Sequence, residues 1–274
     1  MGTPTHWKEQ YADAGEVHIR FHRTGGSKPP IVLLHGITDN GLCWSPVAKV
    51  LETDYDVIMP DARGHGKTST SSNDFSIKAM ADDGAKFIRA LNLDKPIVLG
   101  HSMGGQVTAL IAAQHPDLVS KIILEDPAFR LKKILYKMPW LRARFVHPVK
   151  GARERSTEEI KASCKARNPT WNDDELDPWA VAQQETARNI GEGQVRKFDF
   201  FTNWYDAFPK ITCPVLFVIP SNGALTLKAT EAILPLFKDA RVVFIPGAGH
   251  SVRRDQFERY IVAVREFLDH PKKD

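Results

Sequence analysis

Gly100-His101-Ser102-Met103-Gly104 places a serine between two glycines, directly after the apolar run Ile97 to Leu99 and before the apolar-periodic stretch Val107 to Ala113. Strand, tight turn and helix in that order form the setting in which GxSxG marks a nucleophile: small flanking residues let strand and helix approach while the serine Oγ projects from a strained turn. A serine hydroxyl is a poor nucleophile until an imidazole takes its proton. Ten histidines compete for that role. His250 is the best placed, in Pro246-Gly247-Ala248-Gly249-His250, between the last apolar run, Val242 to Ile245, and a closing helix. That is the end of a strand where sites of open α/β sheets collect. His35, His65 and His101 also stand at strand ends and read as loop-shaping or pocket-wall residues, His35 and His101 being candidates for the substrate pocket.

Acyl transfer to serine develops negative charge on the carbonyl oxygen, so backbone N–H donors must face it. The amide of Met103, just after the serine, supplies one. The loop His35-Gly36-Ile37 after Ile31 to Leu34 supplies the other through Ile37. Trp44, a few residues on, belongs either to the wall of an acyl pocket or to the core.

These residues need a scaffold. Val17, Ile19 and Phe21 alternate with His18, Arg20 and His22, the pattern of a half-buried strand. Six later runs, at Ile31 to Leu34, Val57 to Met59, Ile97 to Leu99, Ile122 to Leu124, Val215 to Ile219 and Val242 to Ile245, do not alternate. Continuous runs of that length predict strands buried on both faces, with crossover helices between them, hence an α/β fold with a mostly parallel, doubly wound sheet. Phe257, Tyr260, Ile261, Val264, Phe267 and Leu268 make one helical stripe that closes the chain.

The stretch from about Ala128 to Pro209 is too long for a simple crossover and predicts an insertion, a small helical cap over residues 128–209, with a core of 1–127 and 210–274. It carries Trp140, Trp171, Trp179 and Trp204 and two helix-start signals, Ser156-Thr157-Glu158-Glu159 and Asn172-Asp173-Asp174-Glu175. Arg130 to Arg155 is basic and Glu158 to Glu192 acidic, which reads as a solvated face whose halves pair, in preference to recognition of an anionic substrate.

His35-Gly36, Asp61-Ala62-Arg63-Gly64-His65-Gly66, Gly100-His101-Ser102-Met103-Gly104 and Gly249-His250, in that order over nearly the whole chain, resemble the α/β-hydrolase fold family. The insertion falls where that family carries its cap. The resemblance implies a catalytic triad and an oxyanion hole, with the acid usually in the loop after Val215 to Ile219. That loop, Pro220-Ser221-Asn222-Gly223-Ala224, holds no carboxylate. Some members, haloalkane dehalogenases among them, place the acid one strand earlier, where this chain has Glu125-Asp126-Pro127. Asp126 is the expected acid, with Glu125, Asn222 as a neutral orienter, and a later residue such as Glu231 as alternatives. The Asp61 loop, common across the family, is expected to be structural.

The expected function is therefore a serine hydrolase that cleaves a small or medium carboxylic ester through an acyl-enzyme: Ser102 attacks, His250 is base and then acid, and Asp126 orients it. A lactone or an amide would suit the same triad, as would carbon–carbon bond hydrolysis or cofactor-free perhydrolysis. A serine at the nucleophile position argues against dehalogenase and epoxide hydrolase chemistry, for which the family uses aspartate. A reading of another class is a non-catalytic small-molecule-binding member with a decayed triad, prompted by the loop Ser221 to Gly223. No cofactor and no metal are implied.

Composition sets the bounds. The chain of 274 residues, 42% hydrophobic and 26% charged, is ordinary for a globular protein and long enough for a sizeable core. A net charge of +4, from 37 basic and 33 acidic residues, is no nucleic-acid footprint. No apolar run approaches the roughly 18 residues of a membrane span. Cys43, Cys164 and Cys213 form no CxxC, so neither a disulfide framework nor a zinc site is expected. Met1 to Gln10 has no signal-peptide core, and the myristoylation-like Met1-Gly2 is followed by His6 where Ser or Thr belongs. A cytoplasmic location is expected, and nothing in the sequence specifies an oligomeric state.

Overall fold

A computed structural model describes residues 4–129, 151–189 and 202–269. Each of the six continuous apolar runs forms a strand: β3 (Pro30–Leu34), β4 (Asp56–Pro60), β6 (Ile97–His101), β7 (Ile122–Glu125), β8 (Val215–Asn222) and β9 (Ala240–Gly249). The alternating run is β2 (Val17–Arg23), preceded by β1 (Lys8–Asp13) and joined by the two-residue β5 (Ser69–Thr70). The sheet order is β1-β2-β4-β3-β6-β7-β8-β9, with β5 beside β2. β1, β2 and β5 pair antiparallel, and every pair from β4 to β9 is parallel.

The described helices are α1 (Ser45–Leu51), α2 (Ile77–Ala90), α3 (Met103–Gln114), α4 (Thr157–Arg167), α5 (Asp173–Asn189), α6 (Trp204–Ala207), α7 (Leu227–Ile233), α8 (Val252–Asp255) and α9 (Phe257–Asp269). Successive strand residues serve opposite cores. Val32, Val98 and Phe217 pack with Phe87, Val107 and Ile111 of α2 and α3. Ile31, Leu99 and Leu216 pack with Leu51, Tyr260 and Val264 of α1 and α9. Burial on both faces is why these strands read as unbroken apolar runs, and it fixes the order of the layers. Burying each such side chain contributes about 1.5–3 kcal/mol, so each face is strongly specified.

Two expectations needed correction. β9 is the edge of the sheet, and its Phe244 is 41% exposed, so it is not buried on both faces. In β2 the polar positions Arg20 and His22 are buried as well, because Glu9 of β1 and Asp61 after β4 cover them and accept from Arg20 at 2.9 Å and 3.1 Å. The missed strand β1 explains the second error: four of its first five positions are exposed, so it carries little apolar signal.

The chain runs from β3 outward to β4 on one side, then returns to β6 on the other. Their diverging connections leave a crevice at the C-terminal ends of β3 and β6, the place where ligands enter open α/β sheets. The segment 128–209 includes helices α4 and α5, and both helix-start signals are used. Ser156 caps α4 in a reciprocal capping box with Glu159, and α5 begins at Asp173. α5 lies over the crevice loops: Asn189 Nδ2 donates to the Gly66 carbonyl at 2.6 Å and Lys49 pairs with Asp174 at 3.0 Å. Lys161 pairs with Asp177 at 2.5 Å, inside the acidic half, while Arg153 and Arg155 bond main-chain carbonyls. Trp140 and most of the basic half lie outside the described residues.

Candidate active site

Ser102 stands between β6 and α3 with φ 53 and ψ −110, a conformation that L-residues rarely adopt. The surroundings over-determine it. A Cβ on Gly100 would overlap the Gly104 carbonyl, and one on Gly104 would overlap the Leu34 carbonyl, so strand, turn and helix touch backbone to backbone. The Ser102 N–H donates to the Glu125 carbonyl at 3.0 Å and its own carbonyl accepts from Gln106 N–H at 3.1 Å. Such strain at a turn is stored where a side chain must be aimed.

His250 Nε2 lies 2.9 Å from Ser102 Oγ. Its Nδ1 lies 2.5 Å from Asp126 Oδ2. Asp126 is fully buried and reaches this point from the end of β7 with φ 37, its amide bonded to the Val218 carbonyl at 3.0 Å. Its carboxylate is further held by two N–H donors: Ala224 gives to Oδ2 at 2.7 Å and Leu225 to Oδ1 at 2.9 Å. The loop that lacks an acid thus grips, by its main chain, the acid of the neighbouring strand. A Cβ on Gly223 would overlap the Asp126 carboxylate, which explains the glycine in Ser221-Asn222-Gly223.

The other acid candidates point elsewhere. Glu125 is buried against Arg253, accepting its N–H at 3.0 Å and its Nη1 at 3.1 Å. Asn222 and Glu231 are exposed, and neither bonds His250 among the described residues. The serine, the imidazole and one carboxylate therefore form a chain able to pass a proton from Oγ to Nε2, with Nδ1–H held by Asp126. The His250 side chain is 45% exposed, so a leaving group can reach Nε2 from the crevice.

The pocket candidates are placed variously. His101 is buried; its Nε2 donates to the His250 carbonyl at 2.9 Å and its ring centroid lies 4.8 Å from that of His250. Burial, helped by the positive charge of Arg253, holds its imidazole well below the ordinary 6.5, so it is neutral. His35 bonds the Gly36 carbonyl through Nδ1 at 2.7 Å and accepts from Ala62 N–H at 2.9 Å, next to an apolar cavity between the sheet and helices α2 and α3. It braces two loops. Trp44 is wholly buried in the α1–α9 core with the Arg253 guanidinium 4.2 Å above its ring. Ile37 sits in the turn after β3, and Met103 opens α3, where a first-turn N–H has no partner within the helix. Asp61 is a loop hub, accepting from Arg20, from Gly41 N–H at 2.8 Å and from Lys67 N–H at 2.9 Å.

Sequence reasoning missed a buried charge cluster beside Ser102, His250 and Asp126. Arg253 and Arg254 of α8 converge on Asp39, at 3.2 Å and 3.0 Å, and Arg254 also donates to Glu175 of α5 at 2.6 Å. Arg254 lies 5.1 Å above the Trp171 ring. Burial disfavours both charges, but Glu125 foremost for Arg253 and Asp39 for Arg254, with Glu175 acting on both, raise the affinity of the guanidinium groups for their protons. The run Val252-Arg253-Arg254-Asp255 resembles a solvated turn, and only the tertiary meeting of three elements distinguishes it.

Among the described residues, no group of three or more His, Cys, Asp or Glu could hold a metal ion, and no helix is long and apolar enough to cross a membrane.

The chain belongs to the α/β-hydrolase fold family, whose model, described as alpha/beta hydrolase fold, matches residues 29–252. Several of the relatives it matches are named as hydrolases. An N-formylmaleamate deformylase of Pseudomonas putida is 29% identical over 94% of this chain and 95% of its own. A sn-1-specific diacylglycerol lipase of Mus musculus is 27% identical over 95% and 88%. The crystal structure of an E-2-(acetamidomethylene)succinate hydrolase superposes with a TM-score of 0.78 at 25% identity, covering 97% of this chain and all of that one (100%).

Proposed function

We propose that this hydrolase cleaves small or medium carboxylic esters through an acyl-enzyme on Ser102. The observation that carries the reading is the unbroken chain from Ser102 Oγ to His250 at 2.9 Å and from His250 to the buried carboxylate of Asp126. His250 takes the serine proton as Oγ attacks the carbonyl carbon, and Asp126 stabilises the resulting imidazolium. The oxyanion faces the amides of Ile37 and Met103. His250 then gives the proton to the departing alcohol oxygen, and the same steps with water as nucleophile release the acid and free Ser102.

Residues 128–209 act as a cap on a core of residues 1–127 and 210–274, and substrate choice resides in that cap. Support comes from α5, which lies on the crevice loops. The reading includes a cytoplasmic location, on the strength of three cysteines spread without a pairing pattern.

A burst assay with p-nitrophenyl acetate and p-nitrophenyl butyrate tests the chemistry. An initial burst equal to the enzyme concentration, absent in Ser102→Ala, is expected. Equal slow hydrolysis by both proteins would replace the enzyme with the non-catalytic binding reading. The acid is tested by comparing Asp126→Asn with Asn222→Ala: loss confined to the second would overturn the assignment.

A second reading, amide hydrolysis, is favoured by one observation. The near-full-length deformylase relative and the acetamidomethylene-succinate hydrolase are both named for nitrogen-linked acyl groups. It uses the same acyl-enzyme and differs in the leaving nitrogen, which His250 must protonate. Faster turnover of acyl anilides than of matched aryl esters, relative to their uncatalysed rates, would select it.

A further inference from the structure

The loop after β3 makes a tight turn in which Asp39 N–H donates to the Gly36 carbonyl at 3.2 Å. Its third residue, Thr38, has φ 67, whereas Ile37 before it stays outside the left-handed region. That is the pattern of a type II turn, whose third position ordinarily takes glycine. A β-branched residue there is strained and persists only where neighbours hold it.

The turn has a direct bearing on the oxyanion. Across the trans Gly36–Ile37 peptide, carbonyl and N–H point opposite ways. With the Gly36 carbonyl turned inward onto Asp39 N–H and His35 Nδ1, the Ile37 N–H is turned outward. Whatever holds Thr38 in its strained state therefore aims that amide.

The holding group comes from α5. Gln183 is 5% exposed, and its Nε2 donates both hydrogens to Thr38, one to the carbonyl at 2.9 Å and one to Oγ1 at 2.9 Å. The next two loop residues are tied to the same helix: Asp39 through Arg254 to Glu175, and Asn40 by donating to Glu185 at 2.8 Å. Three consecutive loop residues thus rest on one helix of the inserted segment.

We propose that Gln183 is a positioning residue for the oxyanion hole: by pinning Thr38 it fixes the direction of the Ile37 amide, so the inserted helix takes part in rate as well as in substrate choice. The inference rests on the acyl-transfer reading of Ser102.

The test compares wild type, Ser102→Ala, Gln183→Met and Gln183→Glu on p-nitrophenyl butyrate and its thiono analogue, whose sulfur accepts hydrogen bonds weakly. Both Gln183 variants keep the shape and lose the donors. Their kcat on the oxo ester should fall about tenfold, less than the loss of a whole oxyanion donor, with KM changed less than twofold. Because the thiono ester makes little use of the hole, the oxo-to-thiono rate ratio should also fall about tenfold, a change that reduced stability alone would not produce. Thr38→Gly in the Gln183→Met background should recover most of the lost rate, since glycine holds a positive φ unaided. An oxo-to-thiono ratio at the wild-type value in both variants, or no recovery with Thr38→Gly, overturns the inference while leaving the acyl-transfer reading intact. Wild-type turnover that does not depend on Ser102 overturns that reading and the inference with it.

Discussion

The two halves of the site are held by different parts of the chain. On the proposed acid–base side, the hydrogen-bond partners of Asp126 among the described residues are His250 and main chain of the parallel sheet or its loops: the amides of Ala224 and Leu225 and the Val218 carbonyl. On the side proposed to hold the oxyanion, Thr38, Asp39 and Asn40 are held by side chains, two of them directly from α5. Main-chain anchors are fixed by the fold. Side-chain anchors can be exchanged one residue at a time, so the first half is the more rigid inheritance and the second the more adjustable.

Removing the core half should cost most. Asp126→Asn keeps the shape but leaves the wrong hydrogen arrangement on His250, and kcat should fall about 10⁴-fold with the fold intact, read from ester kinetics beside a thermal melt. A drop under tenfold would mean that another group orients the histidine. Arg253 bridges both halves, from Glu125 to Asp39. Arg253→Met leaves buried carboxylates without their partner and should lower stability by about 3 kcal/mol in urea unfolding. A variant as stable as wild type would show that Arg254 alone can neutralise the cluster. Gly223→Ala pushes a methyl into the Asp126 carboxylate. About a tenfold loss of kcat is expected, and an unchanged rate would show that the gripping loop can shift without moving the acid.

The smallest effect separates the halves by pH. Burial holds His35 and His101 below their ordinary value and takes His65 down to about 3. In the unfolded chain each would take a proton near 6.5. Each neutral imidazole therefore contributes stability that is whole above pH 6.5 and is lost as pH falls below it, the His65 contribution being lost over the window from 6.5 down to about 3. Protonation of His35 removes the Nε2 lone pair that accepts from Ala62 N–H, so hydrogen exchange should show the loops that His35 braces, after β3 and after β4, loosening in acid before the Asp126 loop does. Simultaneous opening would merge the two halves into one unit.

Much of this architecture was legible because the parallel strands are continuous apolar runs, five of the six written by burial on both faces and the sixth, β9, lying at the edge. Ser102 and His250 were legible because their glycine flanks mark tight turns. Asp126 was harder. The residues around it say only that the usual loop has no carboxylate, and the amides of Ala224 and Leu225 that hold it have no side-chain signature. Gln183 and the pair Arg253 and Arg254 left no local trace, since a polar residue in a helix reads as solvated until another element is found against it. β1 and the edge position of β9 were misjudged for the related reason that neighbours, not composition, decide how far a strand is covered.

Because the loop after β8 holds Asp126 through backbone N–H groups, its exposed side chain at Asn222 has, under the proposed assignment of the acid, no part in the proton path. That frees a position at the rim of the cleft for drift between descendants, and for the engineer it is a handle: a cysteine placed there and labelled with a dye would report occupancy of the crevice without touching the proton path.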